Sequence, residues 1–376
     1  MNGAVRTIDD FISGFADEPG YLDFARFGPL GQTVIAEQNA QTEALSRARF
    51  GSLEVAFDQD ERVRRAVGSL IGFPPDQISF QPNTSTGLMH VLFGLSGAVA
   101  MSPAEFPSLP YAATRASHAL ERLDIRWLET EYGRVTPGTV REQLTDDITA
   151  VAVSLVDFRT GYVADLEGIR QVIGDRMLIV DAVQGFTVTE AAWGAADVVV
   201  SGGQKWARAG HGTGFLALSE RAAEQLEPVL SGWVADDDMP LDEVKEVVRG
   251  AAAFRITHPN PRDQACFAAA LEEVAAVGVA AIRATIADRV DQVVGLADEF
   301  AIPVTSPRNA AERAGIVVLA PPEEHCTVLT ASLYNHGVTV TPRAGTVRLS
   351  VHASTGDETL QLLRSSFSSH LSATTV

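Results

Sequence analysis

The sequence predicts an α/β protein: a large domain built on a mostly parallel sheet between helices, followed by a smaller C-terminal α+β domain. Three observations predict it. Short apolar runs alternate with amphipathic helical stretches from about residue 77 to residue 219. Strands alternating with helices argue for a parallel sheet covered on both faces. After about residue 260 the rhythm changes to two long alanine-rich helical stretches and then closely spaced apolar runs. Finally, 376 residues exceed what one compact core holds, so two closely packed domains are expected.

Element by element, "QISF" (77–80) reads as a strand, followed by a helix from near Thr84. "AVAMS" (98–102) precedes a helical stretch over 111–123, "IRWLE" (125–129) one over 136–144, and "AVAVSLV" (150–156) one over 165–173. "MLIVDAV" (177–183), "ADVVVSG" (196–202) and "GTGFLALS" (212–219) complete seven strand-like runs. Helical stretches over 261–279 and 280–300 join near Gly278. Then come "IPVTS" (302–306), "AGIVVLA" (314–320), a helix over 325–337, "VTVT" (338–341), "TVRLSVH" (346–352) and a last helix near 356–371. The tail "SSHLSATTV" reads as a frayed end. The expected division is an entry segment over 1–30, a large domain over 31–255 and a small domain over 256–376.

Hydrophobic residues make up 46% and charged residues 20% of the chain, an ordinary composition for a globular protein. The formal net charge of −19 disfavours nucleic acid and anionic lipid as partners. It leaves room for an anionic small molecule, because a local arginine cluster overrides the global field. Two cysteines, Cys266 and Cys326, are too few for a disulfide framework and fit a reducing cytoplasm. No signal peptide, membrane-length apolar run or metal-ligand motif is expected.

The chemistry concentrates after two of the apolar runs. Asp181 follows "LIV", which places a carboxylate at the carboxyl end of a strand, the edge where open α/β sheets bind ligands. Buried there, it calls for a cation; capping a helix is its other use. Gln184 adds an amide three residues on, and Lys205 ends the next strand in "SGGQKW". A carboxylate against a ring nitrogen makes a pyridine ring an electron sink, and an amine with a lowered pKa forms a Schiff base. Acid, amide and amine at one crevice are a holder for pyridoxal phosphate.

The order "VDAVQG", "SGGQKW", "GTGFLALS" resembles fold-type I pyridoxal-phosphate enzymes of the class-V aminotransferase, cysteine-desulfurase and kynureninase branch. The likeness runs from about residue 20 to 370. It includes "YLDFARFGPL" (21–30) as an entry segment, "ISFQPNTSTGLMHVL" (78–92) as a phosphate loop and "AEFPSLPY" (104–111) as the segment carrying a ring-stacking aromatic. "SLVDFRTGYVADL" (154–166) is similar to a kynureninase segment, and "VRLSVHASTGDE" (347–358) to the C-terminal carboxylate site.

The resemblance implies a seven-stranded sheet and a role for each matching residue. Lys205 is the Schiff-base lysine and proton shuttle, Asp181 pairs with the pyridinium nitrogen, and Gln184 reaches the phenolic oxygen. Phe106 stacks on the ring. Thr84 and Ser85 hold the phosphate at a helix N-terminus, a geometry shared with ordinary helix capping. Ser201 and Gln204 precede the lysine, with Gln204 where relatives carry a phosphate-binding His or Tyr. Arg348 clamps the substrate carboxylate. "FRITHPNP" (254–261) is similar to a segment that reaches a partner subunit's phosphate through Thr257, which implies a homodimer with a shared site; the histidine before the proline departs from the pattern. Arg159, Arg343, His211 and His258 stand between pocket lining and surface.

The reaction follows from what surrounds the cofactor. Desulfurases carry a thiolate on a mobile loop just before the carboxylate arginine, and "VTVTPRAGTVRLS" has no cysteine. Cys326 lies 22 residues before Arg348 in an unrelated local sequence, so persulfide chemistry is not expected. Proton abstraction at Cα remains, and Gln184 tilts the expectation towards β-elimination from a cysteine S-conjugate, a C–S lyase. Transamination and epimerisation are the alternatives, "VDFRTG" keeps a kynureninase-like cleavage open, and a non-catalytic binding module is the alternative of another class.

Overall fold

The computed structural model describes residues 6–47, 51, 58–235, 243–244 and 246–374. Seven strands form one sheet: β1 (Ile78–Phe80), β2 (Gly97–Met101), β3 (Leu123–Trp127), β4 (Ile148–Ser154), β5 (Met177–Asp181), β6 (Val198–Gly202) and β7 (Gly214–Leu218). Their order is β1-β7-β6-β5-β4-β2-β3. The run β3-β2-β4-β5-β6 is parallel, and β7 lies antiparallel to both β6 and β1. Helices Ser108–Leu120, Pro137–Gln143 and Leu166–Ile173 make the crossovers that parallel pairing requires.

The central strands are buried on both faces, and their side chains divide by parity. Ala150, Ala152, Met177, Ile179, Val198 and Val200 pack with helices Thr84–Gly94 and Ser108–Leu120. Val151, Val153, Leu178, Val180 and Val199 join the larger core on the opposite face. That core continues without a break into Val317, Leu329, Leu349 and Phe367 of the C-terminal unit. The close approach of Thr84–Gly94 needs a glycine: a Cβ at Gly87 would lie 2.6 Å from Val200 Cγ1.

The C-terminal unit carries β8 (Ile316–Leu319), β9 (Thr341–Arg343) and β10 (Thr346–Ser350), antiparallel in the order β8-β10-β9. β9 and β10 form a hairpin around Ala344 and Gly345, with Gly345 at φ +73, a left-handed conformation that glycine adopts without strain. Helices Pro261–Val277 and Val279–Glu299 meet at Gly278 (φ +89) with a bend of 82°. Among the described residues no single helix is long and apolar enough to cross a membrane.

Three expectations change. "IPVTS" contributes only one bridge, Val304 to Leu319, rather than a strand. "VTVT" becomes a strand only from Thr341, because the Thr339 N–H is drawn instead to the Gly20 carbonyl (2.8 Å). The tail is helical through Thr374, since Phe367 and His370 are buried on that helix.

Residues 20–28 tie the three-stranded sheet to the turn after β6. The Leu22 N–H donates to the Thr339 carbonyl (3.0 Å), and the Ser350 N–H to the Leu22 carbonyl (2.8 Å). Six residues on, the Gly28 N–H donates to the Gln204 carbonyl (2.9 Å), and any Cβ at Gly28 would collide with the Lys205 carbonyl. One short stretch thus positions both the lysine turn and the sheet that carries Arg348.

Candidate active site

The carboxyl ends of β4, β5 and β6 bring the chemistry to one edge of the sheet. Asp181 has the parity of Ile179 and so faces the side covered by helix Thr84–Gly94. Its Oδ1 accepts from the Val183 N–H (3.0 Å), while Oδ2 is buried with no partner. Burial pushes its pKa up, against the Val183 hydrogen bond and the Lys205 charge. Lys205 is 8% exposed, and its Nζ lies 5.2 Å from the centre of the Phe106 ring. Burial lowers its pKa to about 8; Asp181 opposes the shift, and Arg348 and Arg343 add to it. An amine held this way is deprotonated far more readily than a surface lysine.

Thr84 opens its helix after the Asn83 cap, whose side chain accepts from the Thr86 N–H (2.9 Å). Its Oγ1 is buried without a partner, as is Gln204 Oε1. Both converge on Gly202: a Cβ there would meet Thr84 Oγ1 at 2.9 Å and collide with Gln204 Oε1. Thr84, Gly202 and Gln204 therefore outline a small polar cradle at a helix N-terminus, a ready anion site. Ser85 is exposed at its rim, with its hydroxyl 2.7 Å from that of Ser108.

Ser201 does not belong to this cradle. It has the parity of Val199, on the opposite core face, and Gly202 takes the position facing Thr84. One residue along a strand reverses the face, so the neighbouring Ser201 points away from Thr84 and Gln204. Gln184 is also largely occupied. Its Nε2 donates to the Ala25 carbonyl (2.9 Å) and its Oε1 accepts from Trp206 Nε1 (2.8 Å), so one amide hydrogen remains for any ligand. Thr257 is exposed. His211 stacks on Phe27 (5.3 Å), and His258 packs edge-on against Trp233 (4.9 Å).

Arg348 is 3% exposed. Its Nη1 donates to the Phe158 carbonyl (3.1 Å), its Nη2 to Thr341 Oγ1 (3.3 Å), and it pairs with Asp23 at 3.7 Å; Nε has no partner. Burial and the neighbouring Arg343 lower its pKa to about 10, so it stays cationic at neutral pH.

Residues 32–376 match the family model of the class-V aminotransferases. The chain belongs to that family. Kynureninase from Deinococcus radiodurans is 26% identical over 349 residues, covering 86% of this chain and 83% of that protein. A probable cysteine desulfurase from Pyrococcus abyssi is 24% identical over 299 residues, covering 76% and 74%. Among solved structures, the apo cysteine desulfurase of Thermococcus onnurineus has a TM-score of 0.84 at 23% identity, covering 96% and 98%. The cystine C–S lyase C-DES in complex with its reaction product, cysteine persulfide, has a TM-score of 0.84 at 18% identity, covering 93% and 97%. A C-DES variant with glycine covalently linked to its pyridoxal-phosphate cofactor has a TM-score of 0.85 at 17% identity, covering 93% and 96%.

Within this class-V chain, several supporting residues carry no motif of their own. Glu105 is buried beside Ser154, whose Oγ donates to it at 2.5 Å, and burial raises its pKa to about 7. It sits inside "AEFPSLPY", where only the aromatic stands out. Arg208, three residues after the lysine, holds a positive φ of +56 and is 1% exposed. It pairs with Asp17, donates to the Pro29 carbonyl (2.6 Å) and Ser354 Oγ (2.9 Å), and lies 3.7 Å over the Phe15 ring. These contacts lock the turn that carries Lys205. Arg208→Met is expected to cost about 3 kcal/mol of stability, because it strands Asp17 in a largely buried site. Urea denaturation tests this, and an unchanged midpoint would mean that the turn is held by other contacts.

Proposed function

We propose that this chain is a pyridoxal-phosphate enzyme that removes the Cα proton of an amino acid and expels its β-substituent, a C–S lyase acting on cysteine S-conjugates. One observation carries the reading: a buried amine of lowered pKa beside an aromatic face, sharing its site with a buried carboxylate that has an unspent oxygen.

The residues present fit the cofactor. Asp181 Oδ2, Thr84 Oγ1 and Gln204 Oε1 are buried polar atoms without partners, and such atoms are costly unless a ligand meets them. Asp181 would face the ring nitrogen, and Phe106 would cover one ring face. Gln184 would give its remaining amide hydrogen to the phenolic oxygen. Thr84, Ser85 and Gln204 would hold the phosphate; the ends of the Gln204 carboxamide exchange by a half-turn, which presents an N–H to an anion. Thr257, exposed, would reach the phosphate of a partner subunit in a homodimer. Two free thiols suit a cytoplasmic enzyme.

The cofactor supplies an electron sink for the charge that develops at Cα. The chain supplies the rest. Arg348 fixes the substrate carboxylate, which turns Cα towards the lysine. Lys205 Nζ takes the Cα proton as general base. The Cβ–S bond then breaks with its electron pair on sulfur, and the departing thiolate takes a proton. Water completes the balance: one cysteine conjugate gives one thiol, one pyruvate and one ammonia.

No thiol stands in for the nucleophile a persulfide route needs. Cys266 is buried in helix Pro261–Val277 against the Val34 carbonyl, and burial raises its pKa to about 11. Cys326 sits in helix Glu323–Asn335, and neither cysteine lines the cavity beside Arg348. The Deinococcus kynureninase likeness favours a second reading, Cβ–Cγ cleavage at the "VDFRTG" turn. Incubation with a panel of cysteine conjugates and kynurenine separates the outcomes. Equal pyruvate, ammonia and thiol support the lyase. Alanine with anthranilate supports the second reading, a keto acid that keeps the substrate side chain indicates transamination, and an inverted amino acid indicates epimerisation.

Arg348→Ala should raise KM for every amino-acid substrate by tenfold or more, the rough worth of a charge-assisted hydrogen bond, with a smaller change in kcat. Steady-state kinetics checks this; an unchanged KM would assign the carboxylate to another residue.

A further inference from the structure

A cavity of about 980 Å³ opens beside Arg348, and its chemistry is unlike the rest of the molecule. The chain carries a net charge of −19, yet Arg134, Arg159, Arg343 and Arg348 all line this one space. Three of them gather on a single aromatic residue. Arg343 lies 5.0 Å and Arg159 5.7 Å from the centre of the Phe158 ring, and Arg348 donates to the Phe158 carbonyl. Phe158 in turn packs edge-on against Phe106, the ring beside Lys205 (5.2 Å). The β9–β10 hairpin enforces the grouping: Arg343 pairs with Thr346, and Thr341 with Arg348, so both arginines stand on one face of the small sheet.

The available carboxylates do not spend these cations. Asp23 pairs with Arg348 and Asp157 with Arg159, each at 3.7 Å, and Glu129 is the one acid lining the cavity. Four guanidiniums thus meet three carboxylates. Among the described residues, neither Arg134 nor Arg343 forms an ion pair with protein. Four buried guanidinium nitrogens make no hydrogen bond: Arg134 Nε, Arg159 Nε, Arg159 Nη2, which meets Asp157 only at ion-pair distance, and Arg348 Nε. The substrate α-carboxylate uses one arginine. The outer ones remain, with Trp127 and Tyr132 forming an aromatic wall.

The geometry points to a substrate with two anionic ends: an amino acid whose side chain carries a second carboxylate, taken by Arg159 and Arg343 while Arg348 takes the first. This rests on the reading of the site as a pyridoxal-phosphate enzyme acting on cysteine conjugates, and it narrows them to S-carboxyalkyl cysteines. The planar fork of arginine matches a carboxylate with two parallel hydrogen bonds, and two such forks, those of Arg159 and Arg343, stand over the Phe158 ring.

The test has a binding arm and a turnover arm. Calorimetry of the cofactor-free protein compares glutarate, with two carboxylates, against butyrate, with one. Glutarate should bind at least about tenfold more tightly, and the margin should shrink as salt is raised. Arg159→Gln and Arg343→Gln should each collapse that margin without lowering Tm. Equal affinities for the two acids, or a margin that survives both substitutions, would overturn the inference. In the turnover arm the cofactor-loaded enzyme meets S-(2-carboxyethyl)cysteine and S-propylcysteine. The acidic substrate should win by about tenfold or more in kcat/KM, mostly through KM. A loaded enzyme that favours S-propylcysteine contradicts the inference and leaves the lyase reading standing. Protein that takes up no pyridoxal phosphate but still prefers glutarate contradicts the lyase reading and leaves the dianion site standing.

Discussion

Lys205→Ala abolishes turnover, by at least about 10⁴-fold, while the protein stays folded. The loss combines the general base, worth about 10²–10⁴ alone, with the covalent hold on the cofactor. The fold survives because the lysine contributes chemistry rather than stability. Its amine is buried, and burial is the main reason its pKa falls to about 8 from 10.5. The sign of the pH dependence follows. Between pH 8 and 10.5 the unfolded chain holds a proton that the folded, cofactor-free chain has released, so stability rises with pH across that window. Below pH 8 both states are protonated, and the folded state carries the whole cost of the buried ammonium. Lys205→Ala removes that cost, so the variant should be no less stable at neutral pH and should lose the rise between pH 8 and 10.5. Chemical denaturation at a series of pH values reads the second effect, and a product assay reads the first. Turnover near wild type, or a variant that unfolds at neutral pH, would contradict this account.

Asp181→Asn should lower kcat by roughly 100-fold or more, while the affinity for pyridoxal phosphate falls far less. The substitution keeps size and shape in a fully buried position, so packing at the end of β5 is undisturbed. It removes the charge that would keep the ring nitrogen protonated and the sink effective. The wild-type carboxyl is itself uncomfortable without a ligand: burial raises its pKa, and one oxygen has no hydrogen bond. The cofactor-free Asp181→Asn protein should therefore be at least as stable as wild type. Cofactor titration set beside single-turnover kinetics separates the two effects. An equal loss in both would make Asp181 a binding residue without a role in stabilising charge at Cα.

Much of this fold was legible because its central strands are buried on both sides. Runs such as "AVAVSLV" and "MLIVDAV" announce themselves without alternation, and the amphipathic stretches over 136–144 and 165–173 between such runs mark helices. What stayed hidden depends on single-residue register or on distant contacts. The step from Ser201 to Gly202 reverses the face of the sheet, and no local pattern says which of the two looks towards Thr84. Gln184 has an obvious position, but its partners Ala25 and Trp206 come from the entry segment and the lysine turn. Arg208 meets Asp17 across 191 positions of sequence, and Arg348 meets Asp23 from the other end of the chain. The arginine cluster was readable only as separate residues, because Arg159 and Arg343 come together on Phe158 only when the hairpin docks.

The most direct measurement is to load the purified protein with pyridoxal phosphate, reduce it with borohydride, digest it and weigh the peptides. One pyridoxyl group per chain is expected, on the peptide containing Lys205, and none in Lys205→Ala. A label spread over surface lysines, or absent from the Lys205 peptide, would contradict it.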